Sequence, residues 1–74
     1  MDYDSLLTQS QREIAMLVVS GASNKEIARQ LVISIKTVKN TLTRVFEKTQ
    51  TRSRTELAVR LVQAGYSVQA SQGG

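Results

Sequence analysis

The sequence lacks several residue types on which particular classes of protein depend. Its 74 residues include no cysteine, no histidine, no proline and no tryptophan. Without cysteine, neither disulfides nor thiolate metal ligands can reinforce the core, and this usage is compatible with a reducing cytoplasm. Without histidine, the commonest zinc or copper ligand and the usual general base are both missing, which leaves Asp and Glu as bases near neutral pH. We therefore expect no enzyme, no bound metal and no cofactor.

Long apolar runs are missing as well. The longest, AMLVV at residues 15–19, is far below the roughly 20 residues that a membrane span needs. The N-terminal stretch MDYDSLL is acidic where a signal peptide would be basic. We therefore expect a soluble cytoplasmic protein with no membrane partner. Chains of this size form one small domain, which buries about 60% of the surface that the unfolded chain exposes.

The residues that are present favour helices joined by short turns. Ala, Leu, Val, Ile, Glu, Gln, Lys and Arg dominate, with glycine, serine and threonine interspersed. Each apolar segment of helical period follows a hydroxyl residue that can cap a helix: Thr8, Ser23, Ser34 and Ser53. Gly21 suits the left-handed position that closes the first helix. The sequence predicts an all-α fold with helices at residues 9–20, 24–31, 35–48 and 54–64.

The second and third predicted helices are separated by three residues, too few to cross a domain, so they must meet at a large angle. Along the third, one arc is apolar: Ile35, Val38, Leu42, Val45 and Phe46. The opposite arc is polar and mostly basic: Lys36, Asn40, Thr43, Arg44 and Glu47. This is the helix-turn-helix arrangement, in which the second helix can enter the major groove of DNA.

Positive charge is concentrated in the same part of the chain. Residues 1–31 carry four acids and three bases, whereas residues 36–54 carry six bases and one acid. Such a concentration is typical of a surface that binds a polyanion. The alternative is a solvated helix face, but those usually carry mixed charge, and Asn40 and Thr43 are poor helix formers.

A long stretch of the chain matches a known pattern. The segments SNKEIARQLVIS, KTVK and RTEL occur in that order, and residues 7–66 as a whole resemble the LuxR/GerE-type DNA-binding domain. The resemblance implies a four-helix domain of a transcription regulator that binds double-stranded DNA as a homodimer through its fourth helix. It implies no small-molecule ligand in this domain, and RNA polymerase is a second candidate partner. Residues 1–6 are then an N-terminal arm and residues 67–74 a flexible tail.

The resemblance also implies roles for individual residues. Bases would be read by Lys39, Asn40, Thr43 and Arg44. Phosphates would be bound by Asn24, Lys25, Ser34, Lys36, Thr37 and Arg54. Lys36 and Lys48 would sense only phosphate charge. Within the reading set, Lys39 suits guanine, Asn40 suits adenine, and Thr43 can reach a thymine methyl group.

The fourth helix has apolar residues on two sides. One side can meet the core, while the other offers a surface for a dimer formed by Val59, Val62, Gln63 and Tyr66. The alternative is that Val59, Val62 and Tyr66 close the core against the N-terminal segment, with Tyr3 and Leu6 packed nearby.

The sequence departs from the family pattern in three places. Ser10 and Gln11 replace the usual Arg and Glu, so Gln11 keeps the capping role but lacks a charge that can orient a basic partner. KTQT at residues 48–51 replaces K-L-G-V, so we expect that helix end to be extended or frayed. Thr43 replaces a base-contacting Lys or Arg, which predicts fewer charged contacts and a distinct target.

Two other functions fit the same residues. A helical protein-interaction module could bind an acidic partner of the transcription machinery, and an architectural protein could bind DNA without sequence preference. The sequence leaves open whether the domain acts alone or as the output domain of a longer regulator.

Overall fold

The computed structural model describes residues 3–66, with side chains from residue 5 onward. This part of the chain contains one helical turn, α1 (Tyr3–Leu6), and four longer helices: α2 (Gln9–Val19), α3 (Asn24–Leu31), α4 (Ile35–Thr49) and α5 (Arg54–Gln63). No strand occurs between residues 3 and 66, so the predicted all-α fold is confirmed. The bounds of α3 are those predicted, and the other three longer helices differ by one residue at their C-terminal ends. The predicted tail at residues 67–74 lies outside the described residues.

The four longer helices begin at the predicted caps: Thr8, Ser23, Ser34 and Ser53. Two of these caps belong to capping boxes. In a capping box, the side chain of the cap accepts the backbone N–H of the third helical residue, and the side chain of that third residue accepts the backbone N–H of the cap. Thr8 Oγ1 accepts from Gln11 N at 3.2 Å, while Gln11 Oε1 accepts from Thr8 N at 3.0 Å. Ser23 Oγ and Glu26 Oε1 make the equivalent pair at 3.1 and 2.7 Å. These bonds satisfy N–H groups that have no acceptor within the helix.

The end of α4 is ordered without the glycine that usually closes a helix. The helix continues to Thr49, and Gln50 takes the left-handed conformation with φ 57°. The neighbouring Thr49 and Thr51 are buried, and their hydroxyl oxygens lie 2.9 Å apart. Thr49 Oγ1 also donates to Val45 O at 2.7 Å. The expected extension is therefore one residue, and paired hydroxyl groups replace the apolar anchor.

The core is formed by one face of each longer helix. α4 packs against α2 and α3, and α5 packs against α2. The buried apolar side chains are Leu7, Ile14, Ala15, Val18, Ile27, Ala28, Val38, Leu42, Val45, Leu57 and Leu61. Leu31, Ile33 and Phe46 pack at the edge of this cluster. Ile35, although in the predicted apolar arc, is exposed because it lies at the very start of α4.

The turn between α3 and α4 consists of the three residues 32–34. Val32 ends α3 in the left-handed conformation with φ 57°, and Ile33 N donates to Ala28 O at 3.0 Å. The side chain of Val32 is 88% exposed, so packing does not explain this conformation. The chain reaches Ser34, the cap of α4, two residues later.

None of the helices in residues 3–66 is both long and apolar enough to cross a bilayer.

Candidate nucleic-acid interface

The outer face of α4 is exposed along its length. The exposed residues include all four predicted base-reading residues: Lys39, Asn40, Thr43 and Arg44. Three of these residues, together with Glu47, line one shallow surface depression of about 340 Å³. Glu47 is the one acidic residue in the sequence of α4, and it lies four residues after Thr43. Its place on this face follows from helical periodicity, but no signal in the chain distinguishes it as a site residue.

The side chain of Thr43 is turned onto its own helix. Its hydroxyl donates a hydrogen bond of 3.0 Å to the carbonyl oxygen of Lys39. A threonine has one hydroxyl hydrogen, and this contact uses it. Thr43 can therefore offer a partner its methyl group and its oxygen lone pairs, but no donor.

The start of α4 presents a different set of groups. Ser34 Oγ accepts from Thr37 N at 3.0 Å and donates to Thr37 Oγ1 at 2.9 Å. The hydroxyl hydrogen of Ser34 is therefore used, whereas that of Thr37 remains for a partner. The backbone N–H groups of Ile35 and Lys36 have no acceptor within the helix. Together with the exposed ammonium of Lys36, this helix end suits an anion.

The start of α3 holds two predicted phosphate ligands, Asn24 and Lys25, and the structure brings Arg54 to the first of them. Arg54 is the first residue of α5, 30 positions further along the chain, and its Nη1 donates to Asn24 Oδ1 at 2.7 Å. Its Nη2 donates to the carbonyl oxygen of Ala22. Arg54 is half-buried, whereas Lys25 is exposed. Arg54 thus lies at the predicted phosphate site but is bonded to the protein there.

Lys48 also lies inside the molecule's own hydrogen-bond network. Its Nζ donates to Gln11 Oε1 at 2.8 Å, and Gln11 is only 8% exposed. The sequence predicts that Lys48 senses phosphate charge and that Gln11 lacks a charge with which to orient a basic partner. The amide oxygen of Gln11 nevertheless orients the ammonium, because a neutral carbonyl oxygen is also a good acceptor for it.

The predicted dimer surface on α5 is largely open. Val59 and Val62 are 49% and 53% exposed, and Gln63 is exposed beside them. Tyr66 instead packs against the core. The alternative that this side closes the core therefore applies to Tyr66 and not to the two valines. The predicted contact with Tyr3 lies outside the described side chains.

A comparison with known families decides what kind of domain this is. The sequence model of the family described as "Bacterial regulatory proteins, luxR family" matches residues 5–61. The chain belongs to the luxR family of bacterial regulatory proteins. The matched range contains every predicted base-reading and phosphate-binding residue, and it ends within α5, before Val62.

Individual relatives are similar over most of this chain. The spore germination protein GerE of Bacillus subtilis is 38% identical over 60 residues, which is 81% of each chain. The monoamine regulon transcriptional regulator of Klebsiella aerogenes is 52% identical over 59 residues, 80% of this chain but 26% of the regulator. The transcriptional regulatory protein LiaR of Bacillus subtilis is 43% identical over 53 residues, 72% of this chain and 25% of LiaR. The chain thus spans about a quarter of the length of the last two relatives.

Membership of the luxR family identifies the motif that α3 and α4 form. α3, the three-residue turn and α4 are the helix-turn-helix of a luxR-family domain, as the sequence predicted. The exposed outer face of α4 and the starts of α3 and α4 are therefore the candidate nucleic-acid interface.

Proposed function

We propose that this luxR-family domain binds double-stranded DNA with sequence preference and regulates transcription in the bacterial cytoplasm, with α4 lying in the major groove. The observation that carries the proposal is the outer face of α4, where polar and basic side chains are exposed while the opposite face is buried in the core. A major groove of B-DNA admits one α-helix, whose outward side chains then meet base edges.

The base-reading roles follow from the donors and acceptors that remain on this face. Lys39 can donate to guanine and Arg44 can do the same with two nitrogens, while Asn40 can both donate to and accept from adenine. Thr43 has no free donor, so it can contact a thymine methyl group or accept from an amino group of a base. Glu47 can only accept, which matches the amino group of cytosine.

Phosphate binding is assigned to the starts of the two helices. Asn24 and Lys25 serve at α3, and Lys36 and Thr37 serve at α4. Ser34 contributes through Thr37, because its own hydroxyl hydrogen is bonded to Thr37 Oγ1. Both helix starts carry open backbone N–H groups that complement the phosphate charge.

The proposed active form on DNA is a homodimer formed through α5. Val59, Val62 and Gln63 form the exposed surface, and Tyr66 supports it from the core side. A symmetric dimer would recognise two half-sites about one helical turn apart. RNA polymerase remains a second proposed partner.

The experiment is selection of bound duplexes from a random pool. We expect an inverted repeat to be enriched, and a pool without enrichment would overturn the proposal. Lys39→Ala and Asn40→Ala should each lower discrimination at one base pair by about 1–3 kcal/mol. Lys36→Ala is the matched control, because loss of a phosphate contact weakens all duplexes alike and lowers the salt slope by about one.

The same variants separate the two other functions. Equal affinity of the wild-type protein for all duplexes would indicate an architectural protein. Unchanged duplex affinity in Lys39→Ala and Asn40→Ala, with loss of binding to an acidic protein, would indicate a protein-interaction module.

A further inference from the structure

We infer that Arg54 is a positioning residue for DNA binding, which acts by orienting the side-chain amide of Asn24 rather than by contacting phosphate itself. The inference rests on the proposed function, because it concerns how the proposed phosphate ligand at the start of α3 is held. It gives the N-terminal end of α5 a part in the DNA surface.

The orientation of Asn24 follows from the chemistry of its partner. A guanidinium group has five N–H donors and no acceptor. The atom of Asn24 that lies 2.7 Å from Arg54 Nη1 is therefore the oxygen, and the amide nitrogen lies on the other side of the group. The two N–H donors of Asn24 are thus directed away from Arg54. Without this contact, the amide can rotate by half a turn and present its oxygen to an incoming phosphate.

The guanidinium is itself fixed by a second acceptor. Its Nη2 donates to the carbonyl oxygen of Ala22, just before the cap of α3. The two acceptors, Ala22 and Asn24, lie on either side of Ser23, so the planar guanidinium spans the segment where the chain enters the helix. A lysine has no planar fork with which to hold both groups in one geometry.

The oriented amide adds to donors already present at this helix end. The backbone N–H groups of Asn24 and Lys25 have no acceptor within α3. The backbone N–H of Ser23 is not among these donors, because it is bonded to Glu26 Oε1, while Ser23 Oγ accepts from Glu26 N. With Asn24 Nδ2 directed away from Arg54, side-chain and backbone donors occur at the same end of α3, as an anion requires.

A positioning role and a direct phosphate contact predict different results in a double-mutant cycle. Binding to a duplex of random sequence is measured for the wild-type domain, Asn24→Ala, Arg54→Lys and the double variant over a range of salt concentrations. We expect each single variant to bind about five-fold more weakly, the size of one hydrogen bond, and the double variant to bind no more weakly than either. Arg54→Lys keeps the positive charge, so its loss of affinity would reflect the lost geometry.

The outcomes that overturn the inference are distinct from failure of the proposed function. Additive losses in the double variant, or wild-type affinity in Arg54→Lys, would show that Arg54 acts independently of Asn24. Absence of duplex binding by the wild-type domain at low salt would instead overturn the proposed function.

A second variant decides the question if Arg54→Lys fails to fold. Asn24→Asp keeps the acceptor for Arg54 but removes both N–H donors and adds a negative charge. We expect the midpoint of thermal unfolding to hold or rise, because the contact becomes an ion pair, while duplex affinity falls by about ten-fold or more. A lowered midpoint together with unchanged affinity would overturn the inference, since Arg54 would then neither bond to position 24 nor act through it.

Discussion

Lys48 Nζ donates a hydrogen bond of 2.8 Å to Gln11 Oε1, which joins the end of α4 to the start of α2. The same oxygen accepts the backbone N–H of Thr8 at 3.0 Å and so completes the capping box. One nearly buried amide therefore fixes the start of one helix and holds the end of another. This explains how a neutral residue serves at a position where the family resemblance predicts an acid.

Removal of this amide should destabilise the domain through both helices. Gln11→Ala deletes the acceptor for Thr8 N and leaves the half-buried ammonium of Lys48 without its partner. We expect the free energy of unfolding, measured in urea, to fall by about 1–3 kcal/mol. Lys48→Met keeps the apolar stem, and Gln11→Ala should have a smaller effect in its background. If Gln11→Ala lowered the free energy of unfolding equally in the wild-type protein and in Lys48→Met, the two side chains would not be coupled.

A negative charge at position 11 should stabilise the domain. Gln11→Glu retains both acceptor contacts and turns the neutral bond to Lys48 into a charge-assisted one. We expect stability to rise by about 0.5–1.5 kcal/mol at neutral pH, with part of the gain lost at high salt. A rise that is unaffected by combining Gln11→Glu with Lys48→Met would show that the ammonium is not involved.

The left-handed conformation of Val32 is a source of strain in the turn. A β-branched residue at φ 57° is unfavourable, and its side chain is too exposed to be compensated by packing. We expect Val32→Gly to raise the free energy of unfolding by about 0.5–1 kcal/mol. Gln30→Gly is the matched control, since it lies within α3 and should lower stability by a similar amount. If Val32→Gly lowered the free energy of unfolding, the left-handed conformation of Val32 would not be a source of strain.

The valines on α5 should matter for assembly and not for folding. Val59→Glu and Val62→Glu place a charge on the exposed surface, so the midpoint of thermal unfolding should change little. Binding to a duplex with two half-sites should weaken by tenfold or more, while binding to a single half-site is retained. Met16→Glu, at an exposed apolar residue of α2, is the control. Equal weakening on single half-sites would exclude a dimer contact at these residues.

The capping box at α3 should give stability a dependence on pH. The backbone N–H of Ser23 donates to Glu26 and, with the Ser23 hydroxyl and the charge of Arg29, holds the pKa of that carboxyl below its ordinary value. A lowered folded-state pKa means that the contribution is complete above the ordinary pKa of about 4.5 and is lost as the pH falls through the folded value.

Glu26→Gln is the control for this dependence, because it keeps an acceptor for Ser23 N but does not titrate. The stability of the wild-type domain relative to Glu26→Gln should therefore shrink as the pH is lowered from about 7 to about 3. Urea unfolding of both proteins between about pH 7 and about pH 3 measures this difference in the free energy of unfolding. A difference that stays constant would mean that the carboxylate form is not favoured by folding.

The sequence predicted the helices well because their start signals are local. Ser23 and Glu26 lie three residues apart, and that spacing alone defines a capping box. The end of α4 was harder, since Gln50 takes a conformation that its residue type does not favour. The turn α1 also differs from the prediction, which is an N-terminal arm at residues 1–6.

The contacts between distant side chains could not be predicted. Lys48 and Gln11 are 37 positions apart, and Arg54 and Asn24 are 30 positions apart. All four residue types are satisfied equally well by water, so no pattern in the chain indicates a pairing. The exposure of side chains on α4, by contrast, follows from the helical period of 3.6 residues per turn. The sequence therefore predicts both the candidate base-reading face of α4 and its buried face.

The capping hydrogen bonds also bear on how quickly the domain forms. Each cap links residues only three positions apart, so the start of every longer helix can be defined before distant parts of the chain meet. Helical domains with mostly local contacts fold within microseconds to milliseconds. Such a chain emerging from a ribosome acquires its native structure faster than the next residue is added, at about 5–20 residues per second.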